Sequence, residues 1–100
     1  MIREVSKKRL STNDPKRFID VVVKYNKGCF GDNRGFYLSV CPIEIDGVFE
    51  KYVGFSGYKH CVLPAERFSQ KQANVAIEEA KKFENELIDR VCKEQNLKVQ

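Results

Sequence analysis

At 100 residues the chain is one domain with room for a modest core, and its length argues against a deeply buried active site, because surface dominates so small a fold. Hydrophobic residues make up 42% and charged residues 32%, a globular balance that excludes a disordered chain, and no apolar run approaches the roughly 20 residues that span a bilayer. The formal charge of +4 is concentrated at one end: Arg3, Lys7, Lys8, Arg9, Lys16 and Arg17 face only Glu4 and Asp14 there, and residues 18–100 balance.

Residues 1–16 read as a flexible basic arm, without clear periodicity and closed by the turn formers Ser11-Thr12-Asn13-Asp14-Pro15. The plainer reading of the arm is a solvated terminus that keeps the protein soluble; contact with nucleic acid or an acidic protein is the sharper one. The first residues carry no apolar stretch of the secretory type, so a cytoplasmic protein is expected. With nothing to direct the chain to an oxidising compartment, Cys29, Cys41, Cys61 and Cys92 read as reduced thiols.

Residues 17–100 read as a single α+β domain. Arg17 to Tyr25 is a strand, rich in β-branched residues. A loop follows over residues 26–35, where Gly28, Gly31 and Gly35 suggest positive φ. Phe36 to Ile45 is a second strand, and Pro42 within it implies an edge or a bulge. Asp46-Gly47 calls for a type I′ hairpin into a third strand, Val48 to Phe55. Ser56-Gly57 turns into a fourth, Tyr58 to Leu63.

From Ser69 to about Asn96 the apolar residues Ala73, Ala76, Ile77, Ala80, Phe83, Leu87, Ile88 and Val91 recur at three- and four-residue steps. Ser69 and Gln72 fit a capping box. Glu78/Lys82, Glu86/Arg90 and Asp89/Lys93 lie at i,i+4 on the outer face. The expected architecture is a four-stranded antiparallel sheet, in the order β-β-β-β-α, with one long C-terminal amphipathic helix packed on one face.

One helix covers one face of such a sheet. Alternation makes Ile19, Val21, Val23 and Tyr25 the better core row; the less apolar rows give Phe18, Val22, Lys24, Tyr37, Ser39 and Tyr52, and strand register decides which of them share the second face. That mixture of aromatic, aliphatic and charged groups suits an interface, though scattered surface apolarity is ordinary. The 26–35 loop adds Lys27, Phe30 and Arg34, and a guanidinium can pair bidentately with carboxylate or phosphate. The candidate binding residues are therefore Lys27, Phe30, Arg34, Tyr37, Tyr52 and Lys59.

No catalytic, cofactor or metal site is expected. There is no C-x-x-C pair, and His60 is the lone histidine, beside Cys61 on what reads as opposite sides of a strand. The run Gly28 to Gly35 lacks the lysine and hydroxyl of a phosphate-binding loop and precedes a strand. Aromatics Tyr25, Phe30, Tyr37, Tyr52 and Tyr58 alternate with Lys24, Lys27, Arg34, Lys51 and Lys59, as in sheets that stack bases, but the charge of residues 18–100 is balanced.

Tyr25-Asn26-Lys27-Gly28, Arg34-Gly35-Phe36-Tyr37-Leu38-Ser39-Val40 with Pro42-Ile43, and Phe55-Ser56-Gly57-Tyr58-Lys59 resemble small proteins encoded on bacterial mobile elements, over residues 18–90. That class includes anti-CRISPR inhibitors of host defence nucleases. The resemblance implies an inhibitor and assigns no functional residue. The expectation is a non-enzymatic protein-binding module using the open sheet face and the 26–35 loop. A nucleic-acid-binding accessory protein is the alternative, a homodimer is a further arrangement, and no membrane is involved.

Overall fold

A computed structural model describes residues 2–28, 33–53 and 58–100. The fold class is as expected: an antiparallel sheet with a C-terminal helix packed against it. The strands are β1 (Ile2–Ser11), β2 (Arg17–Asn26), β3 (Gly35–Asp46), β4 (Phe49–Tyr52) and β5 (Tyr58–Pro64), followed by helix α1 (Gln70–Gln95).

The largest difference from the sequence reading is β1. Residues expected to form a flexible arm form a ten-residue strand on β2, from Ile2 opposite Asn26 to Ser11 opposite Phe18, with a register shift between Glu4 and Ser6. Most of the segment's cations have close partners. Lys8 Nζ lies 2.7 Å from Glu84, Arg9 pairs with Asp20 and Glu50, Lys16 lies 3.6 Å from Asp46, and the Arg3 guanidinium sits 3.9 Å over the Phe68 ring. Partners supplied by other parts of the chain hold the segment down.

β3 is the centre of the sheet, not an edge, and Pro42 shows how that is tolerated. One side of β3 pairs with β2 throughout. On the other side β5 pairs as far as Val40 opposite Tyr58, and β4 begins at Ile43 opposite Tyr52. Pro42 falls where the partner changes, so its missing N–H removes no ladder bond. Its carbonyl accepts from Val53 N–H at 3.2 Å.

The β3–β4 turn also differs from the expectation. Asp46 pairs with Phe49, so the turn residues are Gly47 and Val48, and only Gly47 has positive φ (64°). Positive φ at the first position alone is the type II′ pattern, which favours glycine there. In the 26–35 loop Gly28 has the expected positive φ (91°). Gly35 is required for space instead: a Cβ there would lie 2.8 Å from the Leu63 carbonyl oxygen. Gly35→Ala is expected to cost about 1–3 kcal/mol, because backbone must move to admit a methyl group. A urea unfolding midpoint unchanged from the parent would contradict this. Phe30, Gly31 and the expected Ser56-Gly57 turn lie outside the described residues.

The helix packs over β2, β3 and β5. Ala73, Ala76 and Ala80 are buried against the sheet with Leu87 and Val91, and their small side chains let the helix lie close. Opposite them stand Ile19, Val21, Val23, Tyr25, Phe36, Leu38 and Val40, the row that alternation selects. Ser69 caps the helix by accepting from Gln72 N–H at 3.1 Å. Only that half of the capping box forms, since the Ser69 hydroxyl lies 3.2 Å from the Gln72 side-chain oxygen. Asn96 ends the helix in the left-handed region (φ 54°). Of the expected outer pairs Glu86–Arg90 forms at 3.0 Å, while Lys81 and Lys82 take Glu78 and Glu79 at i,i+3.

Candidate functional site: the second sheet face and its hairpin rim

Register assigns the face away from the helix. Lys24, Val22, Asp20 and Phe18 on β2 lie opposite Tyr37, Ser39, Cys41 and Ile43 on β3. Lys7 and Arg9 on β1 join them, as do Tyr52 on β4 and Lys59 and Cys61 on β5. The floor of this face is covered, not open: Asp20, Tyr37, Ser39 and Ile43 are all buried.

Long side chains from the rim do the covering. Arg9 lies at its centre. Its Nε and Nη2 donate to the two carboxylate oxygens of Asp20 at 2.7 and 3.0 Å, and its Nη1 donates to Glu50 at 2.7 Å. One guanidinium on β1 thus reaches β4 across the two central strands, which requires a strongly twisted, concave sheet. Donating to the carboxylates of Asp20 and then Glu50 raises the Arg9 pKa above its already high ordinary value. Lys7 Nζ is more loosely placed, 3.7 Å from Asp20. Hollows remain on the face among the described residues. One of about 240 Å³ lies over Val22, Ser39 and Cys41, and one of about 140 Å³ lies between Arg9, Ile43 and Glu50; Tyr52 lines both.

The six candidate residues do not form one site. Lys27 and Arg34 are exposed at the end of the sheet where β3 begins, with Arg34 Nη1 3.5 Å from the Glu66 carbonyl. Tyr52 stands opposite Ile43, about 26 Å along β3 at ~3.3 Å per residue. Between them, Tyr37 is buried, donates its hydroxyl to the Asn33 carbonyl at 2.8 Å and carries Lys59 Nζ 5.4 Å over its ring. Phe30 lies outside the described residues. Of the aromatics proposed for contact, Tyr52 is presented to solvent and Tyr37 is a packing residue.

The sequence reading named Tyr52 but not the exposed apolar residues beside it, Val48 and Phe49. Val48 is 90% exposed, Phe49 76% and Tyr52 70%, all on the short β3–β4 hairpin, where alternation puts Tyr52 on this face and Phe49 on the other. A signal for them exists: two large apolar residues directly after a Gly turn have no neighbouring strand to cover them.

Elsewhere the reactive residues lie apart. The His60 ring packs on Phe83 at 4.3 Å on the helix side, while Cys61 pairs with Tyr37 on the other face. The Tyr58 hydroxyl donates to Glu94 at 2.7 Å, and that carboxylate raises the phenol pKa. Cys41, Cys61 and Cys92 are free thiols. Burial, with Asp89 adding to it, pushes the Cys92 thiol pKa up, so the native state holds its proton to higher pH than an unfolded chain does. Stability from this group is complete below the ordinary thiol pKa and is lost as pH rises through the raised value. Peptide mapping after iodoacetamide treatment at neutral pH is expected to find exposed Cys61 alkylated well before Cys92. Equal labelling would contradict that.

Among the described residues no helix is long and apolar enough to cross a membrane. Comparison with protein-family models, curated proteins and solved structures finds no match.

Proposed function

We propose that the chain is a non-enzymatic binding module for another cytoplasmic protein, docking through the β3–β4 hairpin and the adjoining rim of the second sheet face. The observation that carries this reading is the exposure of Val48, Phe49 and Tyr52 together on one short hairpin. Large side chains held in water are unfavourable, and aromatic anchors set beside satisfied polar groups are what dominate protein–protein affinity. The Arg9–Glu50 bond ties β4 to β1, so the hairpin is presented with little freedom to lose on binding. A host defence nuclease is the partner suggested by the resemblance of the strand segments to mobile-element proteins.

Phosphate attraction has less support, because the cations of the N-terminal segment are engaged by the protein's own groups. The test is site-directed photo-crosslinking in cells, with benzoylphenylalanine in place of Phe49 or, as control, of Gln72 on the exposed helix. The expected result is one protein adduct at position 49 that survives nuclease and high salt. Val48→Asp, at a fully solvated position, is expected to reduce that adduct about tenfold by setting a charge in a desolvated contact. An adduct that disappears with nuclease would replace this reading with nucleic-acid binding. Equal crosslinking from positions 49 and 72 would remove the hairpin from the function.

A further inference from the structure

The outer edge of β1 accepts strand pairing, and the protein's own tail has begun it. Beyond Asn96, residues 97–100 run beside the end of β1. Asn13 N–H donates to the Lys98 carbonyl at 2.8 Å and Gln100 N–H to the Ser11 carbonyl at 3.0 Å, on either side of the antiparallel bridge between Thr12 and Val99. The tail therefore points along the β1 edge towards Arg9 and Lys7.

Antiparallel pairing alternates, so that one residue turns its N–H and C=O to one neighbour and the next residue turns both to the other. Ser11 faces the tail, and the β1–β2 register is unbroken from Ser6 to Ser11. Arg9 and Lys7 must then present their backbone groups outward, while Ser6, Lys8 and Leu10 bond to β2. Among the described residues no strand pairs with that edge between Ile2 and Leu10.

The side chains around this edge limit what can join it. On the helix side a groove between β1 and α1 is crossed by the Lys8–Glu84 ion pair, with a hollow of about 170 Å³ floored by Val21, Val23 and Ile77 on one side of it and one of about 540 Å³ lined by Leu10, Ile88 and Asp89 on the other. On the other side Lys7 is 41% exposed and only loosely held by Asp20. A second copy of the chain is a poor occupant. Symmetric pairing sets residues of like face opposite one another, so any register centred on residues 7 to 9 places Lys7, Lys8 or Arg9 against itself and its like. Lys8 and Arg9 are taken up by Glu84, Asp20 and Glu50, so the cation left to meet an incoming carboxylate is Lys7.

We infer that the outer edge of β1 takes an extended acidic segment of a partner protein as a sixth strand, with carboxylates beside Lys7 and apolar side chains in the groove between β1 and α1. The backbone edge is at the opposite end of the strand order from β4, while Lys7 lines the same hollows of the second face as Tyr52.

The probe is a short capped peptide alternating Glu and Val, compared with one alternating Lys and Val, added to the full-length isotope-labelled protein. Amide exchange followed by NMR is expected to slow at Lys7 and Arg9 with the Glu peptide, and to stay unchanged at Ser6 and Lys8, whose amides already bond β2. Lys7→Pro removes an outward donor and leaves the β2 ladder whole, so affinity is expected to fall about tenfold. Lys7→Glu keeps the backbone and is expected to shift the preference to the Lys peptide, a readout that does not rely on the proline variant folding. Equal binding of both peptides, no slowing at Lys7 and Arg9, or slowing at residues 49–52 instead would overturn the proposal. So would slowing at Lys7 and Arg9 that grows with protein concentration alone, which would mark a second copy as the occupant.

Discussion

Replacing Phe36 by alanine is expected to destabilise the protein by about 3–5 kcal/mol, the range for emptying a buried aromatic site that cannot collapse. Phe36 is fully buried, with ring centroids 5.0 Å from Tyr25 and 5.9 Å from Phe68. Neither neighbour can follow it inward. Tyr25 is anchored by its hydroxyl, which donates to the Ala65 carbonyl at 3.0 Å, and Phe68 lies under the Arg3 guanidinium. The loss acts at one end of the molecule, where β2, β3 and the approach to α1 meet, so β1 and the helix start should loosen with it. Equilibrium urea unfolding checks the magnitude, and a loss below about 1.5 kcal/mol, typical of volume-conserving changes, would mean that the aromatic cluster is not the rigid part of the core.

Asp20→Ala is the second large effect, expected at about 2–3 kcal/mol. Asp20 is 4% exposed, and its two oxygens take both inner nitrogens of Arg9. Removing one partner of a buried pair strands the other charge, which costs about 3–5 kcal/mol when both are fully enclosed. Arg9 keeps 28% of its side chain exposed and retains Glu50, which lowers the figure. Arg9→Ala should cost at least as much, since it strands the more buried carboxylate with only Lys7 at 3.7 Å and also breaks the bond to Glu50. The double variant should lose less than the sum of the two, because the pair fails as a unit. Additive losses in that cycle would show that the two residues act separately. The change should also loosen β4, whose bond to β1 runs through this guanidinium, and faster amide exchange over residues 49–52 would report it.

Much of the fold is legible in local pattern. The core rows of β2 and β3 follow from strict alternation of Ile19, Val21, Val23 and Tyr25 with Asp20, Val22 and Lys24, and the helix from its three- and four-residue apolar steps. β1 was illegible for a definite reason. Its apolar residues are only Ile2, Val5 and Leu10, and the irregularity between Glu4 and Ser6 breaks the period of two that marks a strand. The candidate site was half legible. Tyr52 and the face it belongs to can be read from alternation, but the burial of Tyr37 depends on Lys59 and Asn33 lying against it.

By itself the sequence determined roughly where strands two to five and the helix lie, where that helix begins, and which row of β2 is the core row. Those features depend on neighbours within a few residues, where side-chain period and capping chemistry act. Only the tertiary structure decided that the basic segment is a strand, that β3 changes partner at Pro42, that Arg9 closes over Asp20 and Glu50, and that Val48, Phe49 and Tyr52 are left in water. The reason is the range of the contacts. Arg9 meets groups 11 and 41 residues away, and whether a charge or an aromatic ring is paired or exposed depends on what the fold brings to it from that distance.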